Sequence, residues 1–332
     1  MLTVPKNTTC LPWQWQQHNF RAMNTTVQTK LYSNQVANAA VLLDVERLFA
    51  SFERQLSRFK PDSELSRLNA HPDEWFQASP TLLDALEVAL LAAEATHGLY
   101  DPTILAALER AGYDRSFEKI IATDNASSEV VADEPAGPRL GWRAIQLNRP
   151  RREIYRPLGL RLDLGGMGKG WSVDRAADRL QGLGPFLVNA GGDLYAYQSP
   201  PGTKGWEIDL VHPLKTDRFA AKVWLHHQAL ATSTIARRQW LRHGQWQHHL
   251  IDPRTGQPAK TDALSVSVVA DRTVTAEIYA KVALILGAEQ ALAYLERVPG
   301  VEGLIFSADS RVLTTTGMAR LLEQVEPAGY QL

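Results

Sequence analysis

The chain has 332 residues, of which 45% are hydrophobic, so it can bury the core of one large domain or of two ordinary ones. Its 35 basic and 36 acidic side chains nearly balance, and the absence of a basic block argues against a nucleic-acid partner. Cys10 is the only cysteine, which excludes an intrachain disulfide and disfavours a structural zinc site.

The first thirty residues are rich in Asn, Thr and Gln and contain no apolar run of the length that a signal peptide or a membrane span requires. Cys10 follows Asn7-Thr8-Thr9 rather than an apolar segment, which argues against a lipoprotein anchor. We therefore expect a soluble, cytoplasmic protein without a membrane anchor.

The spacing of apolar residues by three and four predicts helices in the first third of the chain. They are expected over Asn38–Phe59, Ser79–His97 and Thr103–Ala111. Ser79 and Pro80 suit the N-cap and the first helical position of the second helix, and Asp101 and Pro102 suit those of the third. Thr123–Pro138 has little apolar content and is predicted to be a mobile loop or insertion.

Strands dominate after Trp142. They are predicted over Ala144–Leu147, Leu160–Leu164, Phe186–Asn189, Trp206–Val211, Ala220–Leu225, Leu264–Val269, Gly303–Phe306 and Arg311–Thr314, with helices over Ser172–Leu180, Ala276–Leu286 and Ala288–Arg297. Because helices and strands interleave irregularly, we predict an α+β or mixed α/β fold rather than a doubly wound sheet.

The segment Arg161–Asp174 (RLDLGGMGKGWSVD) contains four glycines within six residues, followed by the start of a predicted helix. Such glycines expose backbone N–H groups, a helix N-terminus attracts phosphate, and Lys169 adds a positive charge. The segment therefore predicts an anion site, most simply for a nucleotide. It is not a Walker loop, which needs glycine at Asp163, nor a dinucleotide fingerprint, which needs glycine at Trp171 or Val173. The alternative is a tight strand-to-helix turn without a ligand.

Other polar segments interrupt core elements. They are Tyr100–Thr103 (YDPT), Asn189–Asp193 (NAGGD), Ala231–Thr234 (ATST) and His248–Gly256 (HHLIDPRTG). In a strand His248 and His249 point to opposite faces, so at most one of them can face a site on that sheet.

Taken in order, six motifs resemble the ApbE-type flavin transferases, or FAD:protein FMN transferases, from about Met23 to Met318. The motifs are Ser57–Asn69, Gly98–Thr103, Asp163–Gly170 with Asp174, Asn189–Asp193, Ala231–Ser233 and His249–Gly256. The resemblance implies one α+β domain over residues 23–320 with an FAD-binding cleft, an N-terminal extension over 1–22 and a tail over 321–332. It also implies Mg²⁺, and an acceptor flavoprotein whose Ser or Thr hydroxyl attacks the FMN-side phosphorus of FAD and releases AMP.

The resemblance further implies which residues carry the chemistry. His249 is the candidate general base, with Asp252 or Asp101 as alternatives, and Lys169 supplies positive potential. The backbone carbonyl of Gly168 and the carboxylate of Glu277 are the candidate metal ligands. The expected cofactor-binding residues are Met23, Phe59, Glu64, Asp101, Asp163, Gly165, Gly166, Lys169, Asp174, Thr232 and His249.

Three positions depart from the family's motifs. Met23-Asn24-Thr25 replaces Met-Gly-Thr, and Phe59 replaces a tyrosine, which keeps the stacking face but loses the hydroxyl. Glu277 and Lys281 stand where the family has Asp and Thr as magnesium ligands. Our hypothesis is that Lys281 partly replaces metal charge, and the alternative is an ordinary Glu–Lys pair on a solvated helix face.

Two other functions use the same pocket. A non-catalytic FAD-binding protein is favoured by the Glu277 and Lys281 pair, and a metal-dependent FAD pyrophosphatase would use water in place of the acceptor hydroxyl. A flavin oxidoreductase is less favoured, because nothing in the sequence indicates a nicotinamide site.

Overall fold

A computed structural model describes residues 12–35, 38–71, 74–122, 141–215, 217–242 and 244–325. Cys10 and the predicted insertion at Thr123–Pro138 lie outside the described residues. The helices are α1 (Asn38–Leu56), α2 (Glu64–Ala70), α3 (Pro80–Ala95), α4 (Leu105–Arg110), α5 (Phe117–Ala122), α6 (Gly168–Leu180), α7 (Thr273–Leu286), α8 (Ala288–Leu295) and α9 (Met318–Leu321), with a 3₁₀ turn at Trp142–Ala144. In these ranges no helix has the length and apolar character needed to cross a membrane.

The strands form one large and several small antiparallel sheets. They are β1 (Gln14–Ala22), β2 (Thr25–Ser33), β3 (Trp75–Gln77), β4 (Gln146–Asn148), β5 (Glu153–Tyr155), β6 (Phe186–Ala190), β7 (Asp193–Tyr197), β8 (Trp206–Val211), β9 (Phe219–Leu225), β10 (Gln228–Thr234), β11 (Gln239–Arg242), β12 (Gln245–His248), β13 (Ile251–Asp252), β14 (Gln257–Pro258), β15 (Ala263–Ala270), β16 (Glu302–Ser307), β17 (Val312–Thr314) and β18 (Leu322–Val325). The eight-stranded sheet has the order β1-β2-β6-β7-β10-β15-β16-β17, and β18-β9-β8 forms a three-stranded sheet. This architecture confirms the predicted α+β class.

The central strands of the large sheet are buried on both faces, so their alternating side chains enter two different cores. In β6, Phe186 and Val188 pack into the cluster that α1, α6, α7 and α8 cover, whereas Leu187 packs against the three-stranded sheet. A further cluster, built around α2 and α3, contains Leu162, Leu164 and Met167 from the segment before α6. The glycine-rich segment therefore emerges between two cores.

Helix α3 confirms the predicted capping. Ser79 accepts a hydrogen bond from the Leu82 N–H at 3.2 Å, and Pro80 occupies the first turn. The predicted cap of the next helix is wrong, because α4 begins at Leu105. Asp101 instead accepts the Thr103 N–H at 2.8 Å, which is an Asx turn that ends before the helix starts.

The strand predicted over Leu160–Leu164 is also wrong. The segment belongs to no strand although its leucines are buried, because its backbone is paired by a side chain rather than by a strand. Asn69 accepts the Leu162 N–H and donates to the Leu162 carbonyl, each at 2.8 Å. The Asp163 N–H donates to the Pro102 carbonyl at 2.8 Å.

The hairpin of β1 and β2 adds residues that precede Met23 in the sequence to the large sheet. The two strands pair along their whole length, from Gln14 with Ser33 to Ala22 with Thr25. Met23 and Asn24 form the two-residue turn with φ of 51° and 56°, a left-handed conformation that asparagine tolerates. The large sheet thus includes residues of the expected N-terminal extension, and β18, which pairs with β9, lies in the expected tail.

Candidate functional site

A cleft of about 540 Å³ lies where the glycine-rich segment, the ends of β6 and β10, and α7 meet. A side pocket of about 140 Å³ adjoins this main cleft. The two share a wall formed by Arg58, Phe59, Tyr113, Asp163, Gly165, Lys169 and Arg238.

Helix α6 begins inside the glycine-rich segment, four residues earlier than the sequence predicts. Gly170 allows this first turn to pack closely against α7, because a Cβ there would lie 2.6 Å from the Thr273 carbonyl oxygen. The close approach of the two helices brings the first turn of α6 next to Glu277 of α7, whose carboxylate accepts the Gly170 N–H at 2.7 Å.

Lys169 is held between two carboxylates. Its Nζ donates to Glu277 at 2.9 Å and to Asp193, which ends the Asn189–Asp193 segment. The side chains of Asp193 and Glu277 are only 3% and 7% exposed, so the pairing compensates two buried negative charges. Asn189 shapes this corner by accepting the Gly192 N–H at 2.8 Å.

Lys281 lies one helical turn after Glu277 and lines the same main cleft. Its Nζ packs against Gly166 and lies 6.0 Å from the centroid of the Tyr100 ring. Burial lowers the pKa of Lys281, while the carboxylates of Glu277 and Asp163 act to raise it. The alternative of a Glu–Lys pair on a solvated helix face is therefore wrong, because Glu277 is buried and both side chains line the cleft.

The side of the cleft near α1 is aromatic. The Arg58 guanidinium lies 4.1 Å from the ring centroid of Phe59 and 4.8 Å from that of Tyr113. It also pairs with Asp163 at 2.9 Å and donates to the Tyr113 carbonyl at 2.8 Å. Arg58 is thus fixed on three sides, and the half-exposed ring of Phe59 remains available for stacking.

His249 enters the main cleft, whereas His248 does not. The His248 ring is engaged by the Ala259 carbonyl at 3.1 Å and the Leu250 N–H at 3.3 Å. The Nδ1 atom of His249 is buried without a hydrogen-bond partner among the described residues. Burial, followed by the charges of Arg238, Lys281 and Lys169, holds the pKa of His249 well below the usual 6.5. The imidazole is therefore neutral at pH 7.

One face of β10 changes from core to cleft along its length. Leu230 packs in the core, and the next residues on that face, Thr232 and Thr234, line the main cleft. Thr232 lies opposite Ser267 in the sheet, and their hydroxyls are 2.8 Å apart. This face offers a row of hydroxyl groups to a polar ligand.

Eight predicted cofactor-binding residues line the cleft or its side pocket: Met23, Phe59, Asp163, Gly165, Gly166, Lys169, Thr232 and His249. The predicted metal ligands Gly168 and Glu277 also line it. Sequence reasoning did not single out Tyr113, Arg237 or Arg238. The adjacent arginines, two residues after the Ala231–Thr234 segment, were the available signal for two of them.

Four other predicted site residues lie outside this lining and brace the structure. Glu64 accepts the Ser79 N–H at 2.6 Å and so ties α2 to α3. Asp174 accepts the N–H groups of Thr273 and Val274. Burial raises the pKa of Asp174, with Arg272 acting against it.

Asp101 and Asp252 each organise a turn. Burial raises the pKa of Asp101, although its hydrogen bonds with Thr103 oppose the shift. Asp252 accepts the Arg254 backbone N–H at 2.9 Å and pairs with the guanidinium of the same residue. The structure therefore gives each carboxylate a local partner rather than a place in the main cleft.

The implied metal ligands do not form a fitting site for Mg²⁺, which requires near-octahedral coordination by oxygen. Both carboxylate oxygens of Glu277 are engaged, one by Lys169 and the other by the Gly170 N–H. The Gly168 carbonyl accepts the Ser172 hydroxyl at 2.7 Å. Lys281 contributes an ammonium group rather than an oxygen, and the described residues contain no group of three or more His, Cys, Asp or Glu placed to hold a metal ion.

The fold and the cleft define an α+β protein in which lysine cations, an aromatic wall and a neutral imidazole line one cavity. The profile of the ApbE family matches residues 23–305. The chain belongs to the ApbE family.

Curated relatives cover most of the chain. The FAD:protein FMN transferase of Treponema pallidum (strain Nichols) is 29% identical over 323 residues, spanning 89% of this chain and 85% of the relative. The FAD:protein FMN transferase of Vibrio cholerae serotype O1 is 28% identical over 284 residues, spanning 82% of each chain.

Solved structures share the fold. The ApbE protein of Thermotoga maritima has a TM-score of 0.80 at 21% identity, covering 94% of this chain and 100% of that chain. The flavin transferase ApbE of Vibrio cholerae has a TM-score of 0.75 at 22% identity, covering 93% and 100%.

Proposed function

We propose that this chain transfers FMN from FAD to a Ser or Thr hydroxyl of an acceptor flavoprotein and releases AMP. The names of the curated relatives support the reaction. The observation that carries the proposal is that a neutral imidazole, from His249, and two lysines, Lys169 and Lys281, line one cleft. A base and a concentration of positive charge are the two requirements of phosphoryl transfer to a hydroxyl.

The step balances with these groups. The acceptor oxygen forms a bond to the FMN-side phosphorus, and the bond from that phosphorus to the bridging oxygen breaks. The bridging oxygen leaves with its electron pair as part of AMP, and His249 takes the hydroxyl proton. Negative charge gathers on the diphosphate oxygens, where the ammonium groups of the two lysines stabilise it.

The walls of the cleft suit the two ends of FAD. Phe59 offers an aromatic face for the isoalloxazine ring, next to the fixed guanidinium of Arg58. The glycines at 165 and 166 let the diphosphate approach the backbone closely. The hydroxyl row of Thr232, Thr234 and Ser267 can bind the polar groups of a sugar.

The test is an assay of the purified chain with FAD and an acceptor domain carrying an exposed Thr, following AMP release and flavin fluorescence of the acceptor on a denaturing gel. We expect AMP and a fluorescent acceptor band in equal amounts, and neither product with the acceptor Thr→Ala. AMP with free FMN and no band would instead show hydrolysis. Bound FAD without AMP would show a binding protein. The predicted cytoplasmic location is a separate prediction that cell fractionation would test.

A further inference from the structure

We infer that Lys169 and Lys281 together supply the positive charge at the diphosphate, so that FAD binding and FMN transfer proceed without a divalent metal ion. This inference rests on the proposed function, because it concerns the same diphosphate. It follows because the groups that line the cleft do not provide the free oxygen ligands that Mg²⁺ requires.

The first observation is that Lys169 already occupies the acidic corner. Its ammonium lies between Asp193 and Glu277, the two carboxylates of the corner that are almost fully buried. A divalent ion bound by Glu277 would have to displace this ammonium and the Gly170 N–H from the same carboxylate. The displaced Lys169 would then leave Asp193 buried without its partner, which is costly.

The second observation is the position of Lys281. It stands four residues after Glu277 on one face of α7, and its Nζ reaches the backbone of Gly166. Lys281 forms no ion pair with a described residue, so its charge is not assigned to a protein partner. Among the described residues, the negative groups that raise the pKa of Lys281 are Glu277 and Asp163. An ammonium held in a cleft without a dedicated counterion is a ready partner for an anionic ligand.

The cleft brings several cations to the diphosphate. A diphosphate diester carries two negative charges near pH 7, and Lys281 brings one uncommitted positive charge to the glycine-rich segment. Lys169 is shared with two carboxylates, but it has donor capacity left, because an ammonium has three N–H groups and two are engaged. Arg237 and Arg238 extend the positive lining of the same cleft.

The experiment uses the purified full chain, freed of metal by EDTA and gel filtration. FAD affinity is measured by isothermal titration calorimetry, and AMP release with the acceptor domain is measured in parallel, each with excess EDTA and with added MgCl₂. We expect the same affinity and the same rate in both media. A rate that collapses in EDTA and returns with MgCl₂ would overturn the inference while leaving the proposed function in place.

Variants test the role of the uncommitted lysine. Lys281→Met approximately keeps the length of the side chain and removes its charge. It should weaken FAD binding about tenfold to a hundredfold, which corresponds to the loss of one charge-assisted hydrogen bond. Lys281→Arg should recover part of that loss. The control is Lys222→Met, because Lys222 lies on β9, pairs with Glu207 at 2.6 Å and does not line the cleft.

The outcomes separate the two proposals. Wild-type FAD affinity in a Lys281→Met chain that melts cooperatively would overturn the inference. If that variant does not fold, Lys281→Gln takes its place, and the comparison of EDTA with MgCl₂ on the wild-type chain decides the question without any variant. Tight, metal-independent FAD binding with no AMP in either medium would contradict the proposed function but support the lysine assignment.

Discussion

At the scale of single residues, desolvation in the cleft and then the nearby cations keep one imidazole neutral. His249 lies beside Arg238, Lys281 and Lys169, and protonation would place a further positive charge among these cations. A neutral imidazole has a free lone pair and can accept a proton from an incoming hydroxyl. The same cations that stabilise a diphosphate therefore also keep the candidate base ready.

This environment predicts an activity that persists into mildly acidic solution. Because the pKa of His249 is held well below 6.5, the base stays unprotonated as the pH falls through 6.5. The acidic limb of kcat/KM against pH should therefore lie below that value. His249→Gln should lower kcat by about 10²- to 10⁴-fold. An acidic limb at or above pH 6.5 would contradict the assignment.

A second prediction concerns Gly166. A Cβ at this position would collide with the Nζ of Lys281 and press on the Tyr100 ring, 3.3 Å away. Gly166→Ala should therefore displace the lysine and weaken FAD binding severalfold, as measured by calorimetry. Gly168→Ala is the matched comparison, because a Cβ there meets no atom within 4 Å. Equal losses in the two variants would argue against the contact with Lys281.

At the scale of elements, Asp174 joins two helices. It lies on α6, and its carboxylate accepts the N–H groups of Thr273 at 2.8 Å and Val274 at 3.1 Å, at the start of α7. Helix α7 has no capping side chain of its own, since Arg272 occupies that position. The cap is therefore supplied by a neighbouring helix, and the negative charge also suits the α7 dipole.

Removing this cap should destabilise the protein. Asp174→Ala leaves two N–H groups unsatisfied in a buried site and should reduce the free energy of unfolding by about 1–3 kcal/mol, measured by urea denaturation. The control is Asp178→Ala on the same helix, which also pairs with Arg272 but is 39% exposed and should cost at most about 1 kcal/mol. Similar losses in both variants would show that the ion pair with Arg272, rather than the cap, is what matters.

Particular elements show what the sequence could predict. The bounds of β8 were predicted to the residue, because its strand pattern and flanking turns are local signals. The strand prediction over Leu160–Leu164 was wrong because alternating leucines indicate which side chains are buried, but not which group pairs with the backbone. Here that group is the side chain of Asn69. Asp101 was wrongly predicted to cap a helix because Asx turns and helix N-caps favour the same residue types at their first position.

At the scale of the whole molecule, the main cleft joins parts of the chain that are far apart in sequence. Arg58, Lys169, Asp193, His249 and Lys281 come from five different segments. The motifs that contain the first four could be recognised, and the resemblance supplied roles for Lys169 and His249. Their mutual distances could not be predicted, because the pairing of Lys169 with Glu277 spans 108 residues and depends on how α6 packs against α7.

A ligand that fills this cleft should stabilise the entire fold. FAD at a hundred times its dissociation constant should add about 2.7 kcal/mol to the free energy of unfolding, because only the folded chain presents all the walls. The measurement is the melting temperature with and without FAD, with AMP and riboflavin as controls that each fill one part of the cleft. A melting temperature that is unchanged by saturating FAD would contradict FAD as the ligand.

The cap that Asp174 provides has a consequence for the reorganisation energy of the proposed reaction. Lys169 belongs to the helix that carries Asp174, and Lys281 belongs to the helix that Asp174 holds. The two ammonium groups are thus positioned before the nucleotide arrives, and little reorganisation energy is spent when charge shifts during the reaction. In water the same stabilisation would require solvent molecules to turn, whereas here folding has already fixed the polar environment.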